Sequence, residues 1–275
     1  MRTLAIVLAG GAGKRMGSST NKQFLLLDDR PILVHSLQVF EESRPVDGVY
    51  LVVNQRDLPL IQEEILEAYK FSKIVKLVIG GRLRQDSVRN GLEAIDEPCD
   101  VVVIHDAARP FVSPAFVEKT ISLMEMFDAI IPALPARDTI KIISKEGFVS
   151  KTLERDALWQ VQTPQTFKYD LIMKAYREGL AKKLLGFDDA TFVEYLGKRV
   201  KVVEGSPYNI KITTPEDLVI AKGILSQLKG GALESALVLT FTPLPKDVNW
   251  SSAALPSHSR RGDKAIRMAM YCSTP

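Results

Sequence analysis

The run Leu4-Ala5-Ile6-Val7-Leu8-Ala9-Gly10-Gly11-Ala12-Gly13-Lys14-Arg15-Met16-Gly17 is the stretch on which the reading of this 275-residue chain turns. An uninterrupted apolar segment of strand length that stops at glycines is the pattern of a fully buried strand opening onto a tight loop. Without Cβ atoms such a loop can bring its backbone N–H groups up to phosphate oxygens. A plain tight turn competes as the reading of the glycines alone. Arg15, with Lys22 shortly beyond, weighs against it, because two cations beside the loop suit a polyphosphate. Two better-known glycine patterns fail: Met16 stands at the last glycine of G-x-G-x-x-G, and Leu8 and Arg15 stand where a P-loop needs Gly and Ser or Thr. A nicotinamide-dependent oxidoreductase and a P-loop NTPase both lose ground.

Outward from that first strand, short β-branched runs alternate with helical patterns. Val49 to Val53, Ile74 to Ile79, Val101 to Ile104 and Ala129 to Ala133 read as strands; Ile32 to Glu42, Leu58 to Tyr69, Ser87 to Ile95 and Pro114 to Met126 read as helices. Near-continuous apolar strands separated by amphipathic helices predict an α/β fold, a doubly wound and mostly parallel sheet covered on both faces, with ligands at the carboxyl ends of its strands. From 136 to 154 the pattern changes to that of a β-hairpin around Lys145-Glu146-Gly147, an arm and not a crossover. Tyr169 to Glu178 is a further helix, Val200 to Val203 a strand, and Pro215 to Leu228 a closing helix with Thr214 as its cap. Residues 1–229 thus read as one domain. Residues 230–275 show neither helical nor strand periodicity, and the expectation is a poorly ordered or non-native tail with no assigned function.

Totals narrow the class. Thirty-six basic against 33 acidic side chains give a net charge of +3, too slight an excess for a nucleic-acid groove but compatible with an anionic small molecule. Cys99 and Cys272 have neither disulfide nor zinc-site spacing, which predicts a reducing compartment. No apolar run approaches the ~20 residues of a membrane helix, and no signal-peptide pattern opens the chain. The expectation is a cytoplasmic protein.

Further segments carry candidate chemistry. Gly80-Gly81-Arg82-Leu83-Arg84-Gln85-Asp86-Ser87 lies at a strand-to-helix junction, where Ser87 and the backbone could read a base or ribose, or Asp86 or Ser87 could simply cap the helix. His105-Asp106-Ala107-Ala108-Arg109-Pro110 ends a strand; Asp106 could bind hydroxyls or a metal-bound phosphate, or pair with Arg109 to fix the loop. Arg155 and Lys211 could receive a phosphate monoester, one by a fork and one as a point charge.

In order and spacing, the glycine loop with Arg15 and Lys22, the HDAARP segment, the RDxLWxxQTPQxF segment at Arg155 to Phe167 and the NIKITTPEDL segment at Asn209 to Leu218 resemble the 2-C-methyl-D-erythritol 4-phosphate cytidylyltransferases of isoprenoid synthesis, over residues 1–229. The resemblance implies CTP and a sugar-alcohol phosphate as substrates, Mg²⁺ held mainly through the CTP phosphates with no metal ligand from the protein, and a homodimer built through the hairpin arm with a shared site. It implies that Ala9, Gly10, Gly11, Gly81 and Ser87 hold the cytidine and ribose, with Gly13 shaping the phosphate loop. Arg15, Lys22 and Lys211 would be the catalytic cations. Asp106, Arg109, Thr139, Arg155, Thr163 and Lys211 would place the acceptor.

Two departures stand out. Phe187 precedes Asp188-Asp189 where the family often has Thr, and Arg82 follows the double glycine where an acidic or small residue is common. The tail lacks the Asp-x-His motif of the cyclodiphosphate synthase sometimes fused to this enzyme. Ribitol 5-phosphate cytidylyltransferases share the QTPQ-type and NIKITTPEDL-type segments and remain the nearest alternative, with a regulatory protein that kept the fold and lost turnover as the rival from another class.

Overall fold

The first apolar run does form a strand, β1 (Thr3–Ala9), and its neighbours in the sheet explain why it carries no polar face. The structure, a computed structural model, describes residues 1–11 and 22–229; Gly13, Arg15, the Lys22 side chain and the tail 230–275 lie outside the described residues. After β1 the chain runs through a short ribbon, β2 (Leu26–Leu27) and β3 (Arg30–Pro31), to α1 (Ile32–Glu42), β4 (Gly48–Val53) and α2 (Leu58–Leu60). A π-helical turn, Ile61–Leu66, joins α2 to α3 (Glu67–Tyr69), then β5 (Ile74–Ile79), α4 (Arg84–Glu93), β6 (Val101–Asp106) and α5 (Pro114–Ser122) follow. The second half comprises β7 (Ala129–Pro135), the hairpin β8 (Lys141–Ile143) and β9 (Val149–Thr152), then β10 (Trp159–Val161) and β11 (Gln165–Lys168). It ends with α6 (Tyr169–Ala181), α7 (Ala190–Tyr195), β12 (Lys201–Glu204) and α8 (Pro215–Lys229).

One sheet has the order β10-β7-β11-β6-β1-β4-β5, with β12 also on β7. β1 pairs in parallel with β4 on one side, Ile6 opposite Tyr50, and with β6 on the other, Leu8 opposite Asp106. Strand order therefore reverses beside β1, and a doubly wound sheet opens a crevice at such a point. The two-residue period of a strand divides the apolar side chains between two cores. Leu4 and Ile6 join Val52, Leu92, Ile104 and Phe192 under α4, α6 and α7, while Ala5 and Val7 join Leu37, Phe40, Leu51 and Val103 under α1 and α5. Each central strand is thus apolar on both faces, so its sequence shows no alternation.

The sheet is mostly parallel as expected, and two strands the sequence pattern did not predict run the other way: β11 antiparallel between β6 and β7, and β10 antiparallel along β7. Both are short, and Gln162, Thr163 and Pro164 interrupt the apolar signal between them. The helix ends follow local chemistry. The Ser113 side chain accepts from the Phe116 N–H at 3.2 Å ahead of Pro114. The Asp217 carboxylate accepts from the Thr213 and Thr214 N–H groups at 2.8 and 2.9 Å, while Thr214 caps α8 as expected. That clamp anchors the segment carrying Lys211. Among the described residues no helix is long and apolar enough to cross a membrane.

Candidate active site

Asp106 is the last residue of β6, and its carboxylate stands at the crevice beside β1 with each oxygen engaged by a cation. Arg84, from the first turn of α4, donates Nε–H to Oδ1 at 3.0 Å, and Lys211 donates Nζ–H to Oδ2 at 2.6 Å. Burial by itself would push the pKa of this carboxyl up, and Arg84, Lys211 and the more distant Arg109 override it, holding it well below the usual carboxylate range. Asp106 is therefore an anion throughout the neutral range. The expected alternative, an Asp106–Arg109 ion pair, gives way to a different arrangement: the Arg109 guanidinium donates to the Asn209 carbonyl at 2.7 Å.

Arg84 is held from behind. Its two terminal nitrogens make a fork on Asp189, both bonds 2.9 Å, and Asp189 is fully buried. A buried carboxylate is tolerable only when its lone pairs are filled. Tyr176 completes the set, donating to Asp189 at 2.6 Å. Gln165 fixes the backbone of the same segment by accepting from the N–H groups of Asp189 and Ala190 at 3.1 and 3.2 Å. Neither Arg84, Asp189, Tyr176 nor Gln165 was a candidate from sequence, although Arg84 lies inside the glycine segment at 80–88, Asp189 in the acidic pair and Gln165 in the QTPQ segment. Their connection spans 105 residues, from Arg84 to Asp189.

A second chain of bonds runs beneath Asp106. Its N–H donates to the Thr163 hydroxyl at 3.1 Å, the hydroxyl reaches His105 Nδ1 at 3.1 Å, and His105 Nε2 reaches the Arg109 carbonyl at 3.0 Å. One proton assignment satisfies all three: Thr163 donates to Nδ1, and a neutral imidazole donates from Nε2. Burial agrees with that state, holding His105 down to about 4. Asn209 braces the same corner by donating to the Thr163 carbonyl at 2.8 Å.

Two cavities meet at Asp106. One, of about 390 Å³, lies at the carboxyl ends of β1, β4, β5 and β6 and is lined by Ala9, Gly10, Gly11, Gly81 and Ser87 among others. The second, of about 400 Å³, is lined by Arg109, Thr163, Val161, Phe187 and Asp188 among others. Arg84, Asp106 and Lys211 border both. Gly81 is required where it stands, since a Cβ there would lie 2.2 Å from Asp86 Cβ. The helix-cap reading of the Asp86-Ser87 pair holds through Asp86, and Ser87 stands at the cavity. Asp86 accepts from the Leu83 N–H at 3.0 Å as a cap, while the Ser87 hydroxyl lines the cavity, accepts from the Gly81 N–H at 3.1 Å and donates to the Leu83 carbonyl at 3.2 Å.

The structure therefore brings together Ala9, Gly10, Gly11, Gly81 and Ser87 on one side and Asp106, Arg109, Thr163 and Lys211 on the other. It leaves two predicted residues out. Thr139 is exposed ahead of β8, and Arg155 opens a short 3₁₀ turn after β9, its side chain 57% exposed beside Asp156. Neither lines either cavity.

The model of the IspD family, 2-C-methyl-D-erythritol 4-phosphate cytidylyltransferase, matches residues 3–227. The chain belongs to that family. It is 44% identical over 230 residues to the 2-C-methyl-D-erythritol 4-phosphate cytidylyltransferase of Alkaliphilus oremlandii, a match covering 84% of this chain and 98% of the relative. It is 45% identical over 230 residues to that of Geotalea uraniireducens, covering 83% and 98%. Among solved structures it is similar to the 4-diphosphocytidyl-2C-methyl-D-erythritol synthase of Anaerococcus prevotii, with a TM-score of 0.72, 33% identity and coverage of 82% of this chain and 96% of that one. As a member of the 2-C-methyl-D-erythritol 4-phosphate cytidylyltransferase family the chain is an enzyme, a nucleotidyltransferase that moves a cytidylyl group from CTP to 2-C-methyl-D-erythritol 4-phosphate.

Proposed function

We propose that the two cavities are the two substrate sites of this transfer, and that Lys211 works at the boundary between them. CTP occupies the cavity lined by Ala9, Gly10, Gly11, Gly81 and Ser87; the acceptor occupies the one lined by Arg109 and Thr163. A phosphate oxygen of the acceptor attacks the α-phosphorus in line, the bond from that phosphorus to the bridging oxygen breaks, and pyrophosphate leaves. The product joins cytidine to the polyol through a diphosphate. The observation that carries this reading is the shared border: a cation set on a carboxylate, reaching both cavities, is what a reaction between two anionic substrates requires.

The acceptor needs no general base, because a phosphate monoester with a second pKa of about 6 is largely dianionic near neutrality. His105 is placed accordingly: fully buried and engaged at both nitrogens, it is a structural group under the site. Arg15 and Lys22, expected beside the triphosphate, complete the cation set in this reading. Asp106 is committed to Arg84 and Lys211, which supports Mg²⁺ as a companion of the nucleotide phosphates. Such an ion would neutralise charge on the triphosphate.

Thr139 and Arg155 belong, on this reading, to the site of a second subunit. The hairpin that lies between them supports a homodimer: every residue of β8 and β9 is exposed, and Ile142, Ile143, Phe148 and Val149 are exposed apolar side chains on it. A cytoplasmic location accompanies the assignment. Mass spectrometry of a reaction holding CTP and 2-C-methyl-D-erythritol 4-phosphate tests the function: the cytidine diphosphate diester with one equivalent of pyrophosphate is expected, and CMP alone would reject it.

A further inference from the structure

Phe187 is the most exposed large hydrophobic side chain among the described residues, at 85%, and it borders the acceptor-side cavity. Scattered exposed apolar residues need no explanation, but the backbone around this one is fixed. On one side the Gly186 N–H donates to Gln85 Oε1 at 3.0 Å, and a Cβ at Gly186 would lie 2.4 Å from the Phe192 ring. On the other side Asp188 accepts from Gln165 at 2.9 Å and from the Thr191 N–H and hydroxyl at 3.0 and 2.7 Å, and Asp189 holds Arg84. The ring is thus presented outward by a segment pinned at both ends.

Val161, 39% exposed, lines the same cavity, together with the cations Arg84, Arg109 and Lys211 and the carboxylates Asp106, Asp188 and Glu194. One cavity therefore combines three cations, set among carboxylates, with two exposed apolar side chains. A ligand matching both has an anionic group at one end and an apolar branch a few bonds away. In 2-C-methyl-D-erythritol 4-phosphate the phosphate is on C4 and the methyl group on C2, two carbons apart.

We propose that Phe187, with Val161 of the same cavity, is a specificity-determining residue that receives the methyl-bearing face of the acceptor. The assignment rests on the acceptor-site reading given above. The ring covers the C2 end of the acceptor once the phosphate is seated on the cations. Burying one methyl group is worth about 0.8 kcal/mol, close to a fourfold preference over an unmethylated analogue.

Steady-state kinetics with CTP and either 2-C-methyl-D-erythritol 4-phosphate or erythritol 4-phosphate test this in the wild type, Phe187→Ala and Phe187→Leu. The expected results are a rise of about five- to tenfold in acceptor KM for Phe187→Ala, CTP KM unmoved, and a loss of about fourfold in the kcat/KM preference for the methylated acceptor. Phe187→Leu should restore most of that preference, because it restores apolar area. A preference ratio unchanged by Phe187→Ala overturns the proposal while leaving the acceptor site standing. So does a change of oligomeric state in Phe187→Ala with acceptor KM unmoved. Absence of turnover with both acceptors in the wild type instead removes the acceptor-site reading itself, and the Phe187 assignment with it.

Discussion

Lys211 Nζ lies 2.6 Å from Asp106 Oδ2, although 105 residues separate the two in the chain. The contact sets a lysine on the border of two cavities and keeps it there with a carboxylate that stays ionised through the neutral range. Lys211→Ala should leave the fold intact, because Asp106 keeps Arg84 as its partner. Turnover should fall by about 100- to 1,000-fold, the usual cost of one preorganised electrostatic contact, and pyrophosphate release measures it. Lys22→Ala and Arg15→Ala should fall by a similar factor. Near-wild-type turnover in any of the three removes that residue from the catalytic set.

Stability should depend on pH through His105. The folded protein holds this imidazole down to about 4, against about 6.5 for a free histidine. Between those values the unfolded chain takes up a proton that the folded chain refuses, so stability falls as pH falls across that window, by about 3 kcal/mol in total. Asp106 contributes differently: its lowered value gives stability that is present above about pH 4 and lost only in stronger acid. Urea denaturation at a series of pH values should show wild type weakening between pH 6.5 and 4 more steeply than His105→Gln. Parallel curves would mean that His105 is not the group responsible.

Two glycines at the cavity assigned above to CTP should behave unlike each other. A Cβ at Gly81 meets Asp86 Cβ at 2.2 Å, and Asp86 caps α4, so Gly81→Ala should cost about 1–3 kcal/mol and raise the KM for CTP. At Gly10 the nearest atoms to an added Cβ are 3.7 Å away, an ordinary contact. Gly10→Ala should therefore stay within about 0.5 kcal/mol of wild type. Thermal and urea unfolding of both variants check the contrast.

What the sequence revealed and what it hid follow from the range of the interactions involved. β1, β4 and β6 were legible because burial on both faces leaves only apolar residues to choose from. Asp106, Thr163 and Lys211 were found through their motifs. Arg84 was not, since its meaning lies in Asp189, a residue with no local signal of partnership. β10 and β11 escaped because three- and four-residue strands broken by Gln162-Thr163-Pro164 have no measurable period. Ser87 read as a ligand contact or a helix cap; its bonds to Gly81 and Leu83 add a task neither pattern implies, that of holding the loop.

The exposed positions of Thr139 and Arg155 lead to a mixing experiment. If each site takes Arg155 from one subunit and Lys211 from the other, Arg155→Ala and Lys211→Ala are each nearly inactive alone. Random re-association of the two should then restore about a quarter of wild-type activity, since half the dimers are mixed and each mixed dimer has one intact site. No recovery on mixing would place both residues in the same subunit's site.

Initial rates of CTP-dependent pyrophosphate release, compared across 2-C-methyl-D-erythritol 4-phosphate, ribitol 5-phosphate and no acceptor, bear most directly on the assignment of the two cavities to a nucleotide and a branched polyol phosphate. The expected result is release with the methylerythritol phosphate that exceeds the ribitol phosphate rate by at least about tenfold at equal concentration, and none without acceptor. Equal or faster release with ribitol 5-phosphate, or release that needs no acceptor at all, would contradict it.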